Sequence, residues 1–297
     1  MQVLETVEAV RRWRAGAAGV ALVPTMGYLH AGHLALVEAA KAAGYPVLVT
    51  IFVNPTQFAA NEDFTRYPRD LERDLTLLRA ADVAAVFTPD ATIMYPRGFQ
   101  TQVSVGAVAE GKEGAARPGH FVGVATVVCK LFNITQATVA FFGQKDAQQV
   151  AVIRRMVADL NLPVEVRVQP TVREADGLAM SSRNVYLTPE QRAAATVLYR
   201  SLQAASHAYD AGERDPQRLI AVARGVLATE PLAEVDYVDV SLAATLQPVT
   251  APTDAPLLLS LAVKIGQPRL LDNCLLPAAL NTAEGATSTL GAVSLEP

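Results

Sequence analysis

Residues 20–44 read VALVPTMGYLHAGHLALVEAAKAAG, and this stretch decides the fold. It opens on Val20–Pro24, a continuous aliphatic run of the kind that forms a strand covered on both faces. It closes on His33–Ala43, of helical length, with Leu34, Val37 and the stem of Lys41 on one side and Glu38 outside. Strand, tight turn and helix make the first half of a βαβ unit, and the pattern continues along the chain. Strand-like runs recur at Val47–Val53, Val83–Thr88, Thr138–Phe142 and Val164–Val168. Amphipathic segments fall between or beside them at Asp70–Ala80, Val122–Phe132 and Gln148–Leu160. In the first of these, Leu71, Leu75 and Leu78 share a face, with Arg73, Asp74 and Arg79 pointing elsewhere. The alternation implies an α/β fold, a Rossmann-like doubly wound parallel sheet.

After Pro170 the texture changes. A polar loop, TVREADGLAMSSRN, leads to Thr188-Pro189-Glu190-Gln191, which reads as an N-cap, a first-turn proline and an acidic start. One long helix is expected from there to about His207, and a second from near Asp215-Pro216. Strands are expected at Val235–Val240, Leu257–Ile265 and Leu270–Leu276. These elements form a smaller C-terminal α+β domain, giving domains of 1–172 and 173–297. Gly285–Pro297 is short of large apolar residues and reads as a frayed tail.

Of the 297 residues, 51% are apolar, enough for a sizeable core, and only 18% are charged, which excludes a disordered or coiled-coil chain. Lys plus Arg number 25 against 29 Asp plus Glu, a net charge of −4, so a wide basic face for nucleic acid is not expected. Cys129 and Cys274 stand in apolar runs and read as buried thiols. The opening MQVLETVEAVRRW lacks the apolar core of a signal peptide. The run Leu257–Val263 is far too short to span a bilayer. A soluble cytoplasmic protein without membrane partners is expected.

Four segments carry chemistry. The first is Pro24-Thr25-Met26-Gly27-Tyr28-Leu29-His30-Ala31-Gly32-His33. Ligands of open parallel sheets sit at strand carboxyl ends, where helix N-termini present free N–H groups. Gly27 and Gly32 allow close approach of backbone to a phosphate, and His30 and His33 could donate to its oxygens as charge builds during displacement. Metal ligation is the lesser reading, since no third ligand stands at a suitable spacing. The second segment, Phe52-Val53-Asn54-Pro55-Thr56-Gln57-Phe58, ends the next strand with the neutral amides Asn54 and Gln57. An Asn-Pro turn without a ligand is an equal reading of it. In the third, Gly143-Gln144-Lys145-Asp146 follows a strand, with Gln148-Gln149 beyond. It suits phosphate contact, although a solvated Lys–Asp pair is the stronger reading of that segment alone. In the fourth, Met180-Ser181-Ser182-Arg183-Asn184, two hydroxyls and a guanidinium form either an anion clamp or a polar linker. A further loop, Glu110–Phe121 with Arg117-Pro118-Gly119-His120, suits a pocket wall or a lid.

Together, in order from Pro24 to about Arg192, the strings PTMGYLHAGH, IFVNPTQF, NEDFTRYPRD, RPGHFVGVATVV, FFGQKDAQQ and VREADGLAMSSRN resemble the pantothenate synthetase (pantoate–β-alanine ligase) family. That family belongs to the nucleotidyl-transferring superfamily with HIGH-like and KMSKS-like signatures; HAGH and MSSR would be the two. The resemblance implies that pantoate, β-alanine and ATP give pantothenate, AMP and pyrophosphate through a pantoyl adenylate, with Mg2+ accompanying ATP and a homodimer as the assembly. It implies a nucleotide site of Met26, Gly27, Tyr28, Leu29, His30, Ala31, Gly32, His33, Gly143, Gln144, Lys145, Asp146, Val172, Met180, Ser181, Ser182 and Arg183. Of these, His33, His30, Lys145 and Arg183 would be catalytic. Gln57 and Gln149 would hold pantoate, with Gln57 also meeting β-alanine, and the C-terminal domain would cover the site. Asp74 is the candidate metal ligand, with Asp146 weaker. Gln144 departs from the family's usual glutamate.

The residue chemistry agrees with such a reaction: a carboxylate nucleophile needs no base, and the segments offer mainly donors that position and neutralise. No Ser–His–Asp or Cys–His arrangement is visible. A cytidylyltransferase-like enzyme would share HAGH without needing NPTQF or RPGHF. A non-catalytic nucleotide sensor would be expected to have lost some of His30, His33, Lys145 and Arg183, and all four are present.

Overall fold

The computed structural model describes residues 1–59 and 62–293. The chain divides into two compact units, one of Met1–Phe142 with Val152–Gln169, the other of Gly143–Ala151 with the chain from Pro170 onward. In the first unit β1 (Gln2–Leu4) leads through α1 (Val7–Ala15) to β2 (Ala21–Thr25), and α2 (Ala31–Ala42) leads to β3 (Val47–Ile51). Next come α3 (Leu71–Ala80), β4 (Ala85–Phe87), α4 (Ala91–Met94), α5 (Lys112–Ala116), α6 (His120–Thr135) and β5 (Val139–Gly143). Then α7 (Ala147–Asp159), of which residues 147–151 belong to the second unit, and β6 (Glu165–Gln169) follow.

The six strands are ordered β1-β4-β3-β2-β5-β6. The pairs β1–β4, β4–β3, β3–β2 and β2–β5 are parallel. From β2 the chain builds outward through β3 and β4, then returns to add β5 and β6 on the other side. The topological switch point therefore lies between β2 and β5, where a ligand crevice is expected. One face is packed by Leu29, Leu36, Val37 and Ala40 against Ala21, Val23, Val47, Val49 and Val139. This is the α/β arrangement expected from the alternating runs; β1 was not foreseen, being too short to show a period.

The second unit contains α8 (Pro189–Ala194), α9 (Val197–Asp210), α10 (Pro216–Leu227), the strands β7 (Ala233–Leu242), β8 (Leu257–Ile265) and β9 (Arg269–Leu276), and α11 (Ala283–Thr289). The three strands form an antiparallel sheet, β7-β8-β9. Leu198, Leu202, Leu219 and Leu227 pack against Leu257, Leu259, Leu261 and Val263 on one of its faces.

Three expectations need correction. The helix expected from Thr188 to His207 is interrupted at Ala195–Thr196. There the Thr196 hydroxyl and backbone N–H both bond back to Ala193 O, diverting the helical ladder. The C-terminal segment does not fray over its described part: Ala286 and Leu290 are buried, and Gly291 N–H donates to Ala243 O at 2.8 Å. Residues 294–297 of that expectation lie outside the described residues. Both cysteines are free, but Cys129 is only half-buried, whereas burial pushes the Cys274 thiol up to about 12, as a buried thiol requires.

Candidate active site

The segment after β2 is built by an unusual cap. His30 is the N-cap of α2, and its Nδ1 accepts Gly32 N–H at 3.1 Å. His33, three residues on, reciprocates through Nδ1, accepting His30 N–H at 3.3 Å. This is a capping box in which two imidazoles replace the usual Ser/Thr and Glu. An Nδ1 that accepts carries no proton, so in each neutral ring the proton sits on Nε2. Both rings are thus set as Nε2–H donors, 4.0 Å apart between centroids, at a helix end whose dipole favours anions.

Asp74 of α3 holds the turn leading to the cap. Its carboxylate is buried and accepts Tyr28 N–H and Leu29 N–H, each at 2.7 Å. Here the backbone is left-handed at Gly27 (φ +82) and Tyr28 (φ +51). A Cβ on Gly27 would sit 2.9 Å from Ile51 Cγ2 and 3.1 Å from Asp74 Oδ2, so glycine is required by both conformation and space. Thr25 Oγ1 closes the strand end, donating to Thr50 O and accepting Gly27 N–H. The sequence pattern turns Asp74 away from the core and leaves it a candidate metal ligand. The structure instead buries it and commits both oxygens to backbone amides. Burial pushes its carboxyl pKa up, opposed by the Leu29 and Tyr28 amides and by Arg73.

Gln57 follows Asn54 in the 3₁₀ turn Pro55–Gln57. Its Nε2 donates to Met26 Sδ at 3.3 Å, joining this segment to the β2 turn. Asn54 is buried and donates to Gln57 Oε1 and to Gly123 O, while Tyr95 Oη donates to Asn54 Oδ1. The amide pair is therefore part of a set network rather than a bare turn. Gly123 of α6 permits this: a Cβ there would lie 2.4 Å from Thr56 O and 2.7 Å from Gln57 N.

The Gln57 carbonyl is held from below. It accepts from Arg117 Nη2 at 3.3 Å and lies 2.9 Å from His120 Nδ1. Arg117 pairs in a fork with Glu62, Nε to Oε1 and Nη2 to Oε2, both 2.7 Å. A carbonyl can only accept and a guanidinium only donate. His120 must therefore carry its proton on Nδ1 and take the Arg117 Nη1 bond (3.1 Å) on Nε2. The Glu110–Phe121 loop, read from sequence as a lid or pocket wall, here forms α5 and this half-buried brace. The string NEDFTRYPRD supplies its Glu62, and Asn61 lies outside the described residues.

Burial, with Arg117 alongside, pushes the His120 pKa down to about 4. Burial raises the Glu62 pKa, but the Arg117 hydrogen bond and charge hold it below its usual value. Because native His120 stays neutral while the unfolded ring protonates below pH 6.5, the unfolded state binds the extra proton between pH 6.5 and 4. Stability present above pH 6.5 is therefore lost as pH falls through this window, by about 3 kcal/mol at most. Urea unfolding at about pH 7 and about pH 4.5 should show a steeper loss for the parent than for His120→Gln; parallel slopes would refute the buried neutral ring.

The remaining candidates belong to the second unit. Gln144–Asp146 form a 3₁₀ turn with Gly143 as its N-cap, and Lys145 Nζ lies 3.5 Å from Asp146 Oδ1. Gln144 is buried, and its Nε2 donates to Asn273 Oδ1 (3.3 Å) and Asn281 Oδ1 (2.8 Å). Gln149 lies half-buried on α7. Val172 and Met180 face each other across a small hairpin, Met180 N–H donating to Val172 O at 3.0 Å. Its tip is Gly177 (φ +92), where a Cβ would strike the Tyr199 ring. Ser181 caps the following 3₁₀ turn, accepting Arg183 N–H, and Ser182 is buried. Sequence reasoning missed Asn273 and Asn281, which share no motif with the loop they hold.

Among the described residues, no group of three His, Cys, Asp or Glu could hold a metal ion. No helix among them is long and apolar enough to cross a membrane.

Residues 2–275 match the family model described as pantoate-beta-alanine ligase. A pantothenate synthetase of Chloroflexus aggregans is 60% identical over 276 residues, covering 93% of this chain and 100% of that protein. The crystal structure of pantothenate synthetase from Thermus thermophilus superposes with a TM-score of 0.87 at 47% identity, covering 92% of this chain and 98% of that one. That of the Francisella tularensis pantoate-beta-alanine ligase, complexed with beta-gamma ATP and beta-alanine, gives a TM-score of 0.76 at 32% identity over 93% and 97% of the two chains. With the paired-imidazole cap, the braced glutamine and the Lys145 and Ser181–Arg183 loops on one polypeptide, this chain belongs to the pantoate–β-alanine ligase family, enzymes that form a carbon–nitrogen bond.

Proposed function

We propose that the protein condenses pantoate with β-alanine at the expense of ATP, in two half-reactions. The pantoate carboxylate attacks the α-phosphorus of ATP and pyrophosphate leaves; the β-alanine amine then attacks the acyl carbon of pantoyl adenylate and expels AMP. The observation that carries this reading is the His30–His33 cap, two imidazoles fixed as Nε2–H donors at a helix N-terminus. Such donors stabilise negative charge as it moves onto the leaving pyrophosphate, and they need no reorganisation at the moment of transfer. The nucleotide and β-alanine held by the Francisella relative favour the same substrates here.

In this reading Met26–His33 serve the phosphates. Lys145 and Arg183 supply catalytic positive charge, and Gly143, Gln144, Asp146, Val172, Met180, Ser181 and Ser182 complete the nucleotide contacts. Gln57 and Gln149 hold pantoate. The magnesium that accompanies ATP does not fit Asp74, whose oxygens are both committed to amides. Held by phosphates and water, it would supply charge neutralisation. A cytoplasmic location and a homodimer are part of the same reading, and sedimentation tests the dimer.

The test supplies purified protein with Mg-ATP and pantoate, withholding and then adding β-alanine. A pantoate-dependent burst of pyrophosphate, then turnover to AMP and pantothenate, supports both half-reactions. No pantoate-dependent pyrophosphate from protein that binds ATP would overturn the substrate assignment. Gln57→Ala should raise KM for pantoate by roughly 10- to 100-fold, the worth of a hydrogen bond to a charged group, and KM for ATP much less. The reverse order would refute the pantoate role of Gln57.

A further inference from the structure

Strand β9 is apolar on either side of two polar residues: Leu270 and Leu271 precede Asp272-Asn273, and Cys274, Leu275 and Leu276 follow. Asp272 is 2% exposed and Asn273 3%. Burying a carboxylate and an amide side by side is costly unless their hydrogen bonds are satisfied, and aliphatic side chains would serve packing better. Successive residues of a strand point to opposite faces, so this dipeptide reaches two different places at once.

Asn273 reaches the Lys145 turn. Its Nδ2 donates to Gln144 O at 3.0 Å and Lys145 O at 2.8 Å, and its Oδ1 accepts Gln144 Nε2. Two successive carbonyls on one amide fix the path of the backbone from which the Lys145 side chain departs. Asp272 reaches the Val172–Met180 hairpin. Its carboxylate accepts Arg173 Nη1 at 2.6 Å and Nη2 at 3.0 Å, a fork-to-fork pair. Arg173 also donates to Gly177 O and lies over the Tyr199 ring at 4.2 Å. The hairpin runs directly into Met180–Arg183. The two loops assigned to ATP in this unit are thus tied to adjacent residues of one strand.

We propose that Asp272 and Asn273 are positioning residues for adenylation, Asn273 acting through Lys145 and Asp272 through the segment ending at Arg183. The proposal rests on the assignment of Lys145 and Arg183 to the nucleotide. Neither side chain need touch ATP; each holds in place the backbone that carries one which does.

Double-mutant cycles test it, reading pantoate-dependent pyrophosphate release from Mg-ATP with thermal unfolding measured on every variant. Lys145→Ala and Asn273→Ala should each slow release at least about 10-fold. The double variant should be no more than about 2-fold slower than Lys145→Ala alone, because the amide has nothing left to position. Asn273→Ala combined with Arg183→Ala should multiply. Asp272→Asn should show the opposite pattern, coupling to Arg183 and multiplying with Lys145→Ala. Should Asn273→Ala not fold, Asn273→Asp enters the same cycle: it keeps the size and the acceptor for Gln144 but sets an oxygen against two carbonyls. Full multiplication in the Lys145→Ala background would make Asn273 merely structural, and equal coupling of both residues to Lys145 would indicate general loosening of the strand end; either overturns the proposal. If neither Asn273 variant folds, the amide is a folding requirement and the proposal falls. A normal rate for Lys145→Ala would instead remove the nucleotide role of Lys145, a failure visible before any cycle is closed.

Discussion

Alanine at His33 is expected to slow pantoate-dependent pyrophosphate release by about 10²–10³-fold, the usual cost of one preorganised donor to developing negative charge. The fold should survive. His33 contributes one hydrogen bond to the α2 cap, on His30 N–H, and loss of a capping contact costs about 1 kcal/mol of a total of roughly 5–15. Rapid-quench measurement of the first turnover, beside thermal unfolding, separates the two effects. An unchanged first-turnover rate would remove His33 from the chemistry. His30→Asn refines the result, since asparagine is among the best N-caps yet places no donor where the imidazole Nε2–H stood. Stability close to the parent's with a depressed rate is the outcome expected.

Asp74→Ala should be the most destabilising single change in the site, by roughly 3–5 kcal/mol. Its two oxygens accept two 2.7 Å bonds from Tyr28 and Leu29, and each buried amide left without a partner costs about 1–3 kcal/mol. Removing the carboxylate also releases a turn whose left-handed backbone at Gly27 and Tyr28 these bonds sustain. The His30–His33 cap begins directly beyond it, so ATP affinity should fall with stability. Urea unfolding measures the first and equilibrium nucleotide titration the second. A loss below about 1 kcal/mol would mean that water satisfies the two amides, leaving Asp74 no structural role.

The parallel sheet was legible because each buried strand is a continuous aliphatic run. Val47–Val53, for example, contains the observed β3, Val47–Ile51. In the antiparallel unit β8 was legible for the same reason, whereas β7 alternates polar and apolar residues along Ala233–Leu242. What escaped depends on partners distant in sequence. Asp74 looks like a polar residue on a surface helix until the turn at Tyr28, 46 residues earlier, is folded against it. Arg117 and His120 read as a mobile loop because Glu62 and the Gln57 carbonyl, their partners, lie 55 and 63 positions away. The break between α8 and α9 escaped because a threonine bonding back to the preceding turn leaves no mark on hydrophobic spacing. His30 and His33 were visible from their place between strand and helix. That each caps the other, and so fixes which nitrogen carries the proton, required the geometry.

The anchoring of the Lys145 turn also sets an order of events while the protein is being made. The amide that holds this turn lies 128 residues beyond Lys145, and Asn281, which secures Gln144, lies 137 residues beyond it. At about 5–20 residues per second, translation leaves the lysine without its clamp for on the order of ten seconds. The parallel sheet has its complete sequence long before that. On the proposed assignment, a ribosome that stalls before Asn273 would leave a fragment bearing every segment assigned to the nucleotide yet lacking the amide that holds the Gln144 and Lys145 carbonyls. The Lys145 turn thus gains its anchor only once β9 has been made.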